Sequence, residues 1–135
     1  MIFGTFDIIH AGHMHLFKTA RAAGDELIVV VARDKNVKKI KGRPSFHTER
    51  ERQNTLRHIN LIDKAVLGDK QNVCAAVYKY KPDVIVLGYD QKNFVAYLKQ
   101  ELTRYPFPTK IIRAKAYKPK SYKTQKIKQR LERLV

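Results

Sequence analysis

Two apolar runs, residues 26–32 (Glu-Leu-Ile-Val-Val-Val-Ala) and 83–88 (Asp-Val-Ile-Val-Leu-Gly), leave this chain little choice of architecture. Neither alternates between polar and apolar residues, and both are rich in β-branched side chains. A strand of that kind must be covered on both faces, as strands of parallel sheets are. Shorter strands are expected at residues 1–3, 65–68 and 109–113. Between them lie helical patterns. Residues 13–23 carry Leu16, Phe17 and Ala20 on one face, with Met14 near its edge. Thr48 and Glu51 form a capping box that opens a helix over 48–59. Residues 72–80 form another, stopped at Lys81-Pro82, and 93–104 a further one, with Phe94, Tyr97, Leu98 and Leu102 as its stripe. Strands alternating with helices over 135 residues predict one α/β domain, a doubly wound parallel sheet.

The most informative segment joins the first strand to the first helix: Gly4-Thr5-Phe6-Asp7-Ile8-Ile9-His10-Ala11-Gly12-His13. A helix start presents unpaired N–H groups and the positive end of the helix dipole, which together suit a phosphate. Glycines let the backbone approach closely, and imidazoles add donors that can become cationic. A purely structural turn has a similar composition. His10, His13 and His15 could alternatively hold a metal, but only His10 and His13 share a helical face. No cysteine or carboxylate spacing completes a tetrahedral set, so no metal ligands are assigned. His15 reads as a surface or packing residue.

Gly-Thr-Phe-Asp-x-x-His-x-Gly-His resembles the signature of the cytidylyltransferase-like nucleotidyltransferases, with Ala11 where a proline is common. The resemblance covers nearly the whole chain and implies a Rossmann-like fold with strand order 3-2-1-4-5. It implies transfer of a nucleoside monophosphate from a triphosphate to a phosphate-bearing acceptor, releasing pyrophosphate. His10 and His13 would then stabilise the reacting phosphates, while Gly4, Thr5, Phe6 and Gly12 shape the turn. The family's paired lysines, one residue apart, match Lys39 and Lys41 in the basic stretch 35–44, which reads as a loop without a periodic apolar face. An arginine at the start of the next helix matches Arg52, with Arg50 and Arg57 as competitors. Gly88 and Asp90 would face the ribose and base; Asp90 alternatively caps the helix that follows. Gln91 stands where many relatives have tryptophan, and the chain has none.

The tail, residues 115–135, carries eight Lys and Arg against one Glu. Its Ser121-Tyr122-Lys123-Thr124-Gln125-Lys126-Ile127 resembles the family's second signature, in which hydroxyl residues and a lysine open a helix onto the triphosphate. Thr124 and Lys126 match, Gln125 replaces a hydroxyl residue, Tyr122 lies beside them, and Arg113 corresponds to a preceding arginine. On this reading residues 115–135 complete the active site of a single domain spanning 1–135. The plain alternative is a surface helix docked by Ile127, Leu131 and Leu134.

The formal charge of +16 (28 Lys and Arg, 12 Asp and Glu) points to anionic partners without choosing among them. No apolar run approaches membrane-spanning length and nothing resembles a signal peptide. The single cysteine, Cys74, reads as a buried thiol in a cytoplasmic protein. Several local sequences look most like the archaeal FAD synthases: Val30 to Asp34, Lys41 to Pro44, Asp63 to Gly68, and Leu87 to Gln91. That similarity implies ATP and FMN as substrates, a divalent ion such as Mg²⁺ entering with ATP, and a homodimer. Glycerol-3-phosphate cytidylyltransferase and sugar-phosphate nucleotidyltransferases share the main signatures and remain alternatives. A basic nucleic-acid-binding module, with Tyr117 and Tyr122 as stacking residues, is the alternative outside enzymes.

Overall fold

A computed structural model describes residues 1–134. Five parallel strands alternate with six helices: β1 (Ile2–Gly4), α1 (Ala11–Ala22), β2 (Ile28–Val31), α2 (Asp34–Lys41), α3 (Glu49–Arg57), β3 (Lys64–Leu67), α4 (Ala75–Tyr80), β4 (Val84–Leu87), α5 (Lys92–Leu102), β5 (Lys110–Arg113) and α6 (Thr124–Leu134). β1 pairs with β2, β2 with β3, and β4 with β5, all parallel. Two backbone bonds join the halves: Val86 N–H donates to Met1 O at 3.0 Å, and the Met1 amine to Val84 O at 2.8 Å. The strands therefore run in the order 3-2-1-4-5.

The apolar runs do what their composition demands. Ile2, Val29, Val31 and Val86 point into one core with Phe17 of α1 and Leu56 of α3. Their neighbours along the strands, Phe3, Val30, Ile85 and Leu87, point into the other, against Val77 of α4 and Leu98 of α5. Both faces of the sheet are dry, so alternation along a strand separates two cores instead of core from solvent. Cys74 is buried in the second core. On α5, Leu98 is buried and Phe94 and Leu102 of the expected stripe pack against the same core, joined by Val95, while Tyr97 stays 40% exposed.

Three local expectations are corrected. Residues 35–44 are not a loop through their length: α2 covers their first part, held by buried Val37 and closed by Gly42 at φ 71°. One buried residue in two turns is too faint a periodicity to see, and the left-handed Gly42 stop is what ends the helix. Asp90 does not cap α5; the cap position belongs to Gln91. The Gln91 side chain accepts from Gly88 N–H at 2.7 Å and donates to Phe3 O at 2.9 Å, tying the β4 turn to β1. Finally, α6 is not docked by its apolar stripe, since Leu131 and Leu134 are 51% and 82% exposed. Val135, the last residue of the expected tail, lies outside the described residues. The Thr48–Glu51 capping box of α3 is present, with both reciprocal bonds.

Arg52 is a structural tie. It is 1% exposed, and its guanidinium donates to the carbonyls of His47, Thr5 and Ala32 and to the Asp34 carboxylate. The ends of β1 and β2, the start of α2 and the α3 cap thus meet on one side chain. Arg52→Met should lower unfolding free energy by about 3 kcal/mol, because three carbonyls lose their donors in a buried site. Urea denaturation would measure this loss, and an unchanged midpoint would refute the role.

Candidate active site

The site begins where β1 ends. Phe6 has a left-handed backbone (φ 52°), costly for a bulky residue, and its buried ring folds back over Gly4. A Cβ on Gly4 would stand 2.7 Å from that ring, so the glycine is required by close approach. The ring also packs on Phe17 and meets His13 edge-on, with centroids 5.5 Å and 5.6 Å away. The strained turn is thereby fixed on α1.

Imidazoles cap α1. His10 is the N-cap, and its Nδ1 accepts from Gly12 N–H at 3.1 Å. His13 Nδ1 accepts from His10 N–H at 3.2 Å. An imidazole that accepts at Nδ1 carries its proton at Nε2 when neutral. Both rings are therefore held as Nε2–H donors, with centroids 3.8 Å apart and planes tilted by 34°. His10 Nε2 lies 3.4 Å from Thr124 Oγ1, and Tyr122 lies nearly parallel to His10 with centroids 6.4 Å apart. A Cβ on Gly12 would come within 2.9 Å of the His10 ring and 3.1 Å of Tyr122 O, so this glycine makes room for the cap.

Two cavities flank these residues. The smaller, about 80 Å³, runs from His10 and Gly12 to Gly88, Tyr89 and Asp90, with Tyr117, Tyr122 and Lys123 along its tail side. The larger, about 500 Å³, is lined by Thr5, Asp7, Lys41, Arg43, Thr124 and Lys128, among others. That volume is ordinary for a small-molecule site. Buried Asp7 anchors its wall. The carboxylate accepts from the N–H groups of Phe46 and His47 at 2.8 and 2.9 Å and pairs with Lys128 Nζ at 2.8 Å. Burial pushes its pKa up, but the His47 N–H, Lys128 and the Phe46 N–H more than offset this, leaving it at about 2.

Most of the residues expected from the sequence therefore converge. Gly4, Thr5, Phe6, His10, Gly12 and His13 build the turn and cap. Gly88, Asp90 and Tyr122 border the smaller cavity, and Thr124 and Lys41 the larger. Others stand apart. Lys39 and Lys126 are exposed and line neither cavity, and Arg113 donates to Tyr89 O at 3.2 Å, bracing the turn after β4. Helical periodicity accounts for the lysines. Lys41 follows buried Val37 by four residues and Lys128 follows Thr124 by four, so both lie on the side of the larger cavity; Lys39 and Lys126, two residues on from Val37 and Thr124, turn away. Sequence reasoning missed Asp7, Arg43 and Lys128. Applying the i, i+4 rule from Thr124 would have found Lys128, and Asp7 lay inside the signature as an unassigned turn residue. His15, expected as a packing residue, stacks on Tyr117 with centroids 5.1 Å apart.

Among the described residues, no three His, Cys, Asp or Glu side chains gather as an ion cage. Charge at the site is cationic, and it is crowded. Burial, and then Lys128, lower the pKa of Lys41. Burial lowers that of His10. His13 falls to about 3, from burial first, then the positive charge of a protonated His10 and of Lys41.

The cytidylyltransferase-like family model matches residues 1–130. The chain belongs to that family. It is 42% identical to the FAD synthase of Pyrococcus abyssi and 43% identical to that of Pyrococcus horikoshii. Each match covers 95% of this chain and 88% of the relative. The FAD synthase of Archaeoglobus fulgidus is 43% identical over 84% of this chain and 81% of its own. Among solved structures, a lipopolysaccharide core biosynthesis protein from Thermoplasma volcanium superposes with a TM-score of 0.79 at 38% identity. That match covers 87% of this chain and 95% of the other. No helix among the described residues is long and apolar enough to cross a membrane.

The lowered histidine pKa values make a pH prediction. Unfolding restores an ordinary imidazole with pKa near 6.5, so below that pH the unfolded chain binds a proton that folded His13 refuses. Stability should therefore fall as pH drops from about 6.5 towards 3, with Asp7 adding to the loss only below about pH 4. Thermal melts from pH 7.5 to 4.5 would read the first part. An imidazole NMR titration should show His13 neutral throughout that range, and titration of His13 near 6.5 would overturn the assignment.

Proposed function

We propose that this protein is an FAD synthase, transferring AMP from ATP to FMN with release of pyrophosphate. The observation that carries the reaction class is the pair of adjacent imidazoles capping α1, held as Nε2–H donors, with His10 joined through Thr124 to a cavity that three cationic side chains line. Full-length similarity to FAD synthases selects the nucleotide and the acceptor.

On this reading an oxygen of the FMN phosphate attacks the α-phosphorus of ATP. The new P–O bond forms as the bond from the α-phosphorus to the α,β-bridging oxygen breaks, and pyrophosphate leaves. The acceptor is already an anion, so no general base is needed. Catalysis lies in positioning and in neutralising charge. The triphosphate lies at the N-terminal end of α1, against His10 and His13, where the helix dipole adds to the donors. Thr124 orients beside His10, while Lys41, Arg43 and Lys128 neutralise phosphate oxygens in the larger cavity. Gly88, Asp90 and Tyr122 border the ribose and base. A divalent ion, Mg²⁺ by preference, enters on ATP's own phosphates and supplies further charge neutralisation there. Residues 115–134 thus complete the site, and a phosphate dianion would raise the proton affinity of the histidines and Lys41 on binding.

Pyrophosphate release with Mg²⁺, crossing ATP and CTP against FMN and glycerol 3-phosphate, tests the assignment. A signal with ATP and FMN alone is expected, and His10→Ala should reduce kcat by about 10²–10³-fold, as loss of one transition-state donor does. Turnover only with CTP and glycerol 3-phosphate would keep the chemistry and overturn the substrates.

A further inference from the structure

Beside the larger cavity stands an apolar surface that neither the fold nor phosphate chemistry explains. Phe46 is 77% exposed and Ile40 is 79% exposed, among the most exposed large apolar side chains in the protein. Neither is a loosely held residue. The Phe46 amide donates to Asp7 Oδ2 at 2.8 Å, the carboxylate that walls the cavity, and the preceding residue, Ser45, lines that cavity. Its ring meets the His47 ring edge-on, centroids 4.9 Å apart and planes at 87°. His47 is fixed in turn by its own N–H to Asp7 Oδ1 and by a ring nitrogen 2.9 Å from Asp7 O. Ile40 follows buried Val37 by three residues on α2.

A mononucleotide-like acceptor needs two unlike surfaces. Its phosphate is a dianion, and the cavity answers with Lys41, Arg43 and Lys128 against one carboxylate. The rest of FMN is a ribityl chain ending in a flat aromatic ring system, which needs an apolar plane within reach of those cations. Phe46 supplies such a plane, and a rigid aromatic side chain loses little entropy when a ring settles on it. A glycerol phosphate would leave the Phe46 ring in water. We propose that Phe46 is the platform on which the isoalloxazine ring of FMN lies, and that it selects a flavin over acceptors lacking a ring. This inference rests on the FAD synthase reading above and extends it to the acceptor's ring.

The test uses three variants of the full chain. Phe46→Ala should raise KM for FMN about tenfold, a typical loss for one aromatic stacking partner, with KM for ATP within twofold of wild type; Phe46→Tyr should restore it. The chain has no tryptophan, so Phe46→Trp introduces a single reporter at the platform. Its emission should be quenched saturably by FMN and not by inorganic phosphate. Unchanged KM for FMN in Phe46→Ala, together with unquenched Phe46→Trp, would overturn the platform while FAD synthesis by the wild type kept the functional reading. Absence of FAD synthesis by folded wild type would refute that reading, and the platform with it. A shift in sedimentation of Phe46→Ala with unchanged KM would assign Phe46 to a subunit contact and also overturn the proposal.

Discussion

The geometry of the site depends on how α1 starts. Helix N-termini are commonly capped by small oxygen-bearing side chains; this one is capped by imidazole nitrogens. That choice has a chemical consequence. A serine cap leaves a freely rotating hydroxyl proton, and an aspartate cap leaves a second oxygen with negative charge. An imidazole cap spends one nitrogen on the backbone and keeps the other, with its proton, for something else. The local bonds that start the helix therefore also fix the tautomer and the ring plane of two Nε2–H donors. Phe6 and Gly4 make this possible, since only a left-handed Phe6 with nothing but hydrogen beneath its ring turns the chain sharply enough into α1.

Around that cap, charged side chains divide into those committed to the scaffold and those left over. Arg52 is fully committed: every bond it makes goes to a carbonyl or to Asp34, and it holds segments remote in sequence. Asp7 is committed from the other side, joining the signature turn to residues 46–47 and, through Lys128, to α6. This ionic attachment explains why a helix with no buried residue can sit against the domain. The tail is placed by the site it helps to build, through Lys128 and Thr124, and its leucines remain in solvent.

The sequence made the frame legible because the frame rests on local, periodic signals. Unbroken β-branched runs revealed a sheet covered on both faces, and Thr48 with Glu51 marked the start of α3 within one residue. The signature placed His10 and His13 at a helix start on spacing alone. What it did not reveal were relations between distant segments. Nothing near Asp7 shows that its partner lies 121 residues away, and nothing in a lysine-rich stretch shows which lysine faces inward until a helix is recognised there. Once α2 is a helix, Lys39 and Lys41 must point to different sides, and a family spacing of one residue cannot place both in one cavity. Gln91 shows a similar limit. Read as a departure in a binding motif, it turns out to brace β4 against β1 through two backbone bonds.

The same division explains the cost visible in the site. Lys41 has its proton affinity lowered by lost solvent and by Lys128, and His13 is held neutral by burial and by its cationic neighbours. Cations gathered ahead of their ligand repel one another and weaken the fold locally, which is strain of an electrostatic kind. A phosphate arriving among them adds an attraction to each that offsets this repulsion. The crowding that destabilises the free protein then becomes attraction to the ligand, strongest where negative charge accumulates. A net charge of +16 is thus more than solubility: the overall field draws phosphates in.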